Sequence, residues 1–232
     1  MKVSNINKLQ ITVLLACAGL FFSCDSTEPE TENPDSILSV DEVEAKKLRS
    51  FLEVGLGKKS EWKSHWENEI DVFEAQDFLL IQTDTIDPME MPEKNPILKD
   101  DPLFPYQIPH PEGNGTMDIY SYKVEAQDGL ETPFLNPDSE VIWYREDGMK
   151  ERLLFMGPSG MFEDGLWINN TTFVVFGFFQ EEAGFRPMAW VIELEDHKVH
   201  RYQLTKVTSD YETESYINQK IKKVDLSSNG VS

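Results

Sequence analysis

The run Phe173-Val174-Val175-Phe176-Gly177-Phe178-Phe179 is apolar on both of the faces that a β-strand presents. Successive side chains of a strand point to opposite sides of its sheet, so this run predicts a central strand that is covered on each face. Gly177 interrupts the bulky side chains, and we expect it to admit a close neighbour or a β-bulge.

Short polar connections divide the sequence around this run into pieces of strand length. They are Glu146-Asp147-Gly148, Asn169-Asn170, Glu181-Glu182-Ala183-Gly184 and Glu195-Asp196-His197. Connections of this length join antiparallel neighbours. The alternation of apolar and polar residues then predicts eight strands, near residues 77–84, 117–124, 139–146, 150–156, 165–169, 172–180, 186–195 and 198–204. The expected fold class is therefore mainly β.

Helices are expected before and after these strands in the sequence. Ser39-Val40-Asp41-Glu42 has the pattern of a capping box, and the helix that it begins is expected to end at Gly55 and Gly57. A second helix is expected from Ser60, with one apolar side formed by Trp62, Trp66, Ile70 and Phe73. A final helix is expected from Ser209, because its dipole is complemented by acidic residues in the first turns and, in the last, by Lys220, Lys222 and Lys223.

The stretch from Gly157 to Leu204 resembles one four-stranded blade of a β-propeller. It contains Leu166-Trp167-Ile168-Asn169-Asn170 ahead of the central run and two further hairpin strands after it. The four preceding strands can form a second such unit, so we expect two propeller-blade-like, four-stranded antiparallel meanders, flanked by N-terminal helices and a C-terminal helix. Eight strands are too few to close a propeller. A closed eight-stranded meander and a partial propeller remain alternatives to two packed sheets.

The first residues have the organisation of an export signal. Lys2 and Lys8 precede an apolar stretch, Leu9 to Phe22, which is shorter than the roughly 20 residues that span a bilayer as a helix. Cys24 follows, and the chain then carries eight acidic residues and no basic residue as far as Glu44.

This arrangement resembles the lipobox of bacterial lipoproteins, whose signal peptide is cleaved just before a cysteine that carries the lipid. In Leu20-Phe21-Phe22-Ser23-Cys24 a small residue precedes the cysteine, although Phe21 stands where leucine is usual. The resemblance implies a signal peptide over residues 1–23 and lipidation of Cys24. The alternatives are cleavage at Cys17, an ordinary cleaved signal and an uncleaved anchor.

The domain organisation follows from this processing. Residues 24–38 are expected to form an acidic, disordered tether, which also resembles the surface-export tags of some Gram-negative lipoproteins. Residues 39–226 are expected to form one globular domain, and residues 227–232 a frayed tail. The mature chain would retain one cysteine, so an internal disulfide is excluded and the core must supply the stability.

Composition restricts the partners. The chain has 232 residues, 42 acidic and 21 basic side chains and a net charge of −21. Nucleic acid is excluded as a partner because binding it requires a basic surface. Anionic lipid headgroups are disfavoured for the same reason, so contact with a membrane is expected only through the lipid on Cys24.

The longest irregular segment, Asp87 to Thr116, contains seven of the thirteen prolines. Phe104, Tyr106 and His110 alternate with prolines there and can line a groove that binds an envelope protein or a glycan. The other interpretation is a strap that these same aromatic residues fix across a sheet. Loops of this length are often functional, so both interpretations stay open.

The sequence predicts no catalytic, metal or cofactor site. Gly157-Pro158-Ser159-Gly160-Met161 lacks the second glycine of a nucleophile elbow. His197 and His200 are three residues apart, an offset that on a strand puts two side chains on opposite faces, so they are not expected to bind zinc together.

Two functions remain. The expected one is a non-catalytic, lipid-anchored protein of the outer membrane, on its cell-surface or periplasmic face, which binds a partner protein or glycan. The alternative is an envelope hydrolase acting on saccharides through a carboxylate pair. That enzyme would need two facing carboxylates in a pocket, one of them desolvated by Trp143, Trp167 or Trp190.

Overall fold

The computed structural model describes residues 40–125 and 134–221, and within them the fold is mainly β, as predicted. The predicted signal peptide with Cys24, the predicted tether and the predicted tail lie outside the described residues. Within those residues there are three α-helices: α1 (Val40–Lys58), α2 (Ser60–Ile70) and α3 (Ser215–Ile221). None of these helices combines the length and the apolar character that a membrane span requires.

Twelve strands occur in the described part of the chain. In chain order they are β1 (Phe78–Thr85), β2 (Met89–Pro92), β3 (Ile108–Pro109), β4 (Thr116–Asp118), β5 (Val124–Glu125), β6 (Phe134–Leu135), β7 (Ser139–Tyr144), β8 (Met149–Met156), β9 (Gly160–Trp167), β10 (Thr172–Glu181), β11 (Gly184–Glu193) and β12 (Lys198–Leu204). Sheet A has the order β1-β12-β11-β10-β9, and sheet B has the order β2-β8-β7-β4-β3. Strands β5 and β6 form a separate antiparallel pair.

All four predicted hairpin connections are confirmed. They join β7 to β8, β9 to β10, β10 to β11 and β11 to β12, and each pair is antiparallel. The apolar run 173–179 lies in β10, between β9 and β11, and β10 is buried from Thr172 to Phe178. The expected bulge is also present, because the register between β9 and β10 shifts between Phe176 and Gly177.

The prediction of two four-stranded meanders differs from the two five-stranded sheets observed. Sheet A extends the meander β9–β12 by β1, which pairs with β12 along the other edge. The proline-rich segment 87–116 supplies the short strands β2 and β3 to the edges of sheet B. The strand predicted at 117–124 is wrong, since the chain pairs only at β4 and again at β5.

Three other element bounds were predicted wrongly. Helix α1 continues through Gly55, whose role is close packing: a Cβ added there would lie 2.9 Å from Cζ of Phe176. Helix α3 begins at Ser215 and not at Ser209, because Thr208 pairs with Phe185 and the side chain of Tyr211 enters the core. Strand β9 begins at Gly160 and not at 165.

Sheet A forms the middle layer of the protein. On one face the helices cover it, and Trp62 of α2 stacks on Phe176 with ring centroids 4.8 Å apart. On the other face sheet B covers one end of sheet A, where Trp143 of β7 meets Trp167 of β9 with ring centroids 6.2 Å apart. The two interfaces share one continuous apolar core.

Candidate functional site

A cleft of about 680 Å³ opens beside sheet B, and we call it the Trp143 cleft. It is formed by the β7–β8 hairpin, the β11–β12 turn and two parts of the proline-rich segment 87–116, namely β2 and Asn114. We call this segment the strap. The residues that line it are Glu90, Asn114, Trp143, Arg145, Glu146, Asp147, Glu151, Leu194 and His197. The lining thus combines one indole ring, one guanidinium and several carboxylates.

The register of sheet B places the central residues of the Trp143 cleft together. Glu151 of β8 lies directly opposite Trp143 of β7 on one side and Glu90 of β2 on the other. Directly paired residues of antiparallel strands share a face, so the three side chains form a row across the sheet. Arg145 follows β7 by one residue and reaches back over this row.

Arg145 connects the carboxylates of the cleft. Its Nη1 contacts Glu151 and also Glu90, the latter at 3.5 Å, while its Nη2 contacts Asp147. The hydrogen bond to Glu151 is the main reason that the pKa of Arg145 lies above its ordinary value. Glu151 is buried, whereas the side chains of Glu90 and Asp147 are about half exposed, 48% and 49%. A guanidinium and two open carboxylates therefore face solvent beside an indole.

The strap holds Trp143 from behind. The ring of His110 lies nearly parallel to that of Trp143, with centroids 6.3 Å apart, and meets Trp167 edge-on at 4.5 Å. Nε2 of His110 donates to the carbonyl oxygen of Asn170 at 2.7 Å, and Nδ1 accepts the N–H of Glu112 at 3.1 Å. Both ring nitrogens are thus used, and the imidazole is held in one tautomer.

The three residues that the sequence proposed for binding do not form one surface strip. Phe104 is 41% exposed, Tyr106 is partly buried against Tyr120 with ring centroids 6.2 Å apart, and His110 is only 5% exposed. The segment therefore has the geometry of a strap. Of the three predicted residues, only His110 contributes to the Trp143 cleft, and it does so indirectly, through its contact with Trp143. The same segment lines the cleft directly with Glu90 and Asn114.

Two consecutive acids of β9, Glu163 and Asp164, are the most deeply buried carboxylates, and the sequence analysis missed both. Consecutive strand residues normally face opposite sides. Here Phe162 pairs with Gly177 and Asp164 with Phe176, so Glu163 is the extra residue of the bulge. Both carboxylates consequently point towards the helices.

Glu163 lies in a cage of donors. It accepts the indole N–H of Trp62 at 2.8 Å and of Trp66 at 2.9 Å, and the hydroxyl of Tyr211 at 2.7 Å. Complete burial raises the pKa of Glu163 to about 7, and these hydrogen bonds only partly oppose the shift. A carboxyl group that is enclosed in this way cannot reach a substrate, so its role is to fix α2 on sheet A.

Asp164 is ionised and fixes both ends of the helical layer. Its carboxylate contacts Nζ of Lys59 at 2.8 Å, the hydroxyl of Tyr216 at 2.6 Å and Nζ of Lys220. Burial alone would raise its pKa, but the two ammonium groups outweigh burial and hold the pKa below its ordinary value. Chain segments before α2 and within α3 are thereby joined to β9.

Comparisons with protein-family models, curated proteins and solved structures find no match for this chain. The function proposed below is therefore derived from the residues of the Trp143 cleft.

Proposed function

We propose that this protein is a non-catalytic, lipid-anchored binding protein of the bacterial outer membrane, which takes a saccharide in the Trp143 cleft. The observation that carries the proposal is the row of Trp143, Arg145 and Glu90 that lines one cleft, in which the indole is partly buried and the Glu90 carboxylate is about half exposed. The apolar C–H face of a sugar packs on an indole ring, while its hydroxyls exchange hydrogen bonds with guanidinium and carboxylate groups. Concave sites with an aromatic wall and a few polar groups are typical of small-ligand binding.

A binding role fits the cleft better than hydrolysis does. Glu90 and Glu151 both contact the same guanidinium nitrogen of Arg145. A glycosidase needs one of its two carboxyl groups to deliver a proton to the leaving oxygen. Carboxylates that accept from one arginine keep further lone pairs that can accept hydrogen bonds from sugar hydroxyls. The hydrolase stays the alternative, because Glu151 is buried beside Trp143, as that function would require.

Substitution of the cleft tests this proposal. We expect Arg145→Lys, which keeps the charge but removes the planar fork, and Asn114→Ala to weaken binding of a neutral oligosaccharide at least tenfold, about 1.4 kcal/mol each. Binding is first located on a glycan array and then measured by isothermal titration calorimetry. Hydrolysis of a bound oligosaccharide that Glu151→Gln abolishes would establish the alternative instead.

The matched control is the double substitution Phe104→Ala, Tyr106→Ala in the strap. Because neither residue lines the Trp143 cleft, we expect this variant to bind the oligosaccharide as the unaltered protein does. Loss of binding in the strap variant, with binding retained in Arg145→Lys, would move the site to the aromatic segment.

The envelope assignment rests on the lipobox resemblance. The net charge of −21 disfavours direct contact with anionic headgroups, so attachment to the membrane would have to come from the lipid on Cys24. We expect mass spectrometry of the native protein to show Cys24 as the amino-terminal residue, carrying a diacylglyceryl group with or without a third acyl chain. An unmodified amino terminus at another bond would contradict the anchor. In the same way, the likeness of β9–β12 to a propeller blade stays a prediction.

A further inference from the structure

A second cluster of polar side chains lies where α1 crosses sheet A, and none of its residues lines the Trp143 cleft. Glu44 of α1, Glu193 of β11 and His200 of β12 each offer one ligand atom, and these three atoms lie within 4.8 Å of one another. Glu193 and His200 are buried, and Glu44 is exposed. The cluster is thus closed on the side of the sheet and open towards solvent.

The strand register explains how these residues meet. His200 pairs directly with Thr83 of β1. Glu193 pairs with Lys198, which is two residues from His200 and on the same face of β12. Thr83, His200 and Glu193 therefore point to the face that α1 covers, and α1 adds Glu44 from above. His197, by contrast, is exposed in the β11–β12 turn.

His200 is oriented as a ligand would need to be. Its Nδ1 is 3.0 Å from the hydroxyl of Thr83, and its Nε2 is 3.0 Å from Oε2 of Glu193. An outer hydrogen bond to one ring nitrogen fixes the plane of the imidazole and directs the other nitrogen to the carboxylates. Histidines that bind metals are almost always supported in this way.

The cluster already receives a positive charge from the chain itself. Nζ of Lys47, one turn after Glu44 on α1, contacts Oε1 of Glu193. Half of the Lys47 side chain is exposed, at 50%, so the ammonium can move into solvent when another cation takes its place beside the buried Glu193 carboxylate. The Glu193 carboxylate thus attracts a cation, and another cation can replace the Lys47 ammonium that now occupies this position.

We propose that Glu44, Glu193 and His200 bind a divalent transition-metal ion, with Zn²⁺ as the best fit, in place of the Lys47 ammonium. One imidazole nitrogen and two carboxylate oxygens leave one position of a tetrahedral Zn²⁺ site for water. Binding uses the neutral tautomer in which Nδ1 carries the proton and donates to the hydroxyl of Thr83, so that Nε2 carries no hydrogen and donates its lone pair to the metal. The site does not depend on the saccharide proposal.

Calorimetric titration of the untagged, metal-free full chain with ZnCl₂ tests the proposal. We expect saturable binding of one ion, and affinity at least tenfold lower in His200→Ala and Glu193→Gln. Because these residues are buried, Glu44→Gln provides an exposed variant that leaves the core intact, and it should also bind more weakly. Lys47→Met should bind Zn²⁺ more tightly, since it removes the competing cation.

The matched control is His197→Ala, which removes an exposed histidine three residues from His200 and outside the cluster. It should bind Zn²⁺ as the unaltered chain does. The proposal is overturned if no saturable one-to-one binding occurs, if His197→Ala lowers the affinity as much as His200→Ala, or if folded Glu44→Gln and Lys47→Met both bind unchanged.

Discussion

Between about pH 4.5 and pH 7, the titration of Glu163 is expected to lower the free energy of unfolding by roughly 3 kcal/mol. The folded protein keeps the Glu163 proton up to about pH 7, whereas the unfolded chain releases it near the ordinary value of 4.5. Within this interval the folded state binds more protons than the unfolded state, so stability falls as the pH rises. Above pH 7 both states are ionised and this contribution becomes constant.

Glu163→Gln isolates this contribution. The side-chain oxygen of the glutamine can accept both indole N–H groups, and its NH₂ group can donate to the hydroxyl oxygen of Tyr211. The hydroxyl of Tyr211 can then donate its hydrogen to Nε2 of His65, which lies 3.2 Å away. In this variant the two indole N–H groups and the Tyr211 hydroxyl all keep hydrogen-bond partners, and the buried side chain no longer titrates. We therefore expect Glu163→Gln to match the unaltered protein near pH 4.5 and to exceed its stability at pH 8 by roughly 3 kcal/mol.

Urea unfolding of both proteins from pH 4.5 to pH 8 measures this difference directly. Comparison with the variant is necessary because Asp164 and Glu193 contribute the opposite trend at more acidic pH. Burial opposes ionisation of both carboxyl groups. Two lysines beside Asp164, and Lys47 together with His200 beside Glu193, outweigh burial and lower the two pKa values, so the stabilisation is lost as the pH falls. Parallel profiles for the two proteins would show that Glu163 titrates normally in the folded state.

The features that the sequence predicted correctly are those encoded locally. The hairpin connections follow from turn residues, and the central strand follows from the apolar run 173–179. The predicted start of β9, at residue 165, was wrong because Glu163-Asp164-Gly165 contains residues that are rare in strand interiors. Their burial depends on donors distant in sequence, such as Trp62 and Tyr211, which no local pattern indicates.

The Trp143 cleft and the cluster around His200 could not be predicted either, because each is formed by residues that are distant in the sequence. Trp143 was recognised as a residue that can desolvate a carboxylate, but the row that it forms with Glu151 and Glu90 depends on the register of three strands. His197 was the only partner that the sequence suggested for His200, and the spacing of the two histidines argued against a shared site. The actual neighbours of His200 are Glu193 across a hairpin and Glu44 on a helix that precedes it by most of the domain.

Gly177→Ala is expected to destabilise the protein by about 3 kcal/mol, at the upper end of the range for overpacking. A Cβ at this position would lie 2.0 Å from the carbonyl oxygen of Met161 and 3.1 Å from Cα of Phe162, and both are backbone atoms. Backbone cannot rotate away as a side chain can, so β9 and β10 would have to separate at the bulge. That bulge directs Glu163 and Asp164 together towards the helices, and its loss would also weaken the attachment of α2 and α3.

Gly57→Ala is the matched control, because Gly57 lies within α1, is exposed, and has no atom within 4 Å of an added Cβ. The same chemical change there should stabilise the protein by about 0.5–1 kcal/mol through the higher helix propensity of alanine. Urea unfolding should therefore shift in opposite directions for the two variants. A Gly177→Ala protein as stable as Gly57→Ala would mean that the bulge adapts to a side chain, and that the paired orientation of the two acids does not depend on glycine.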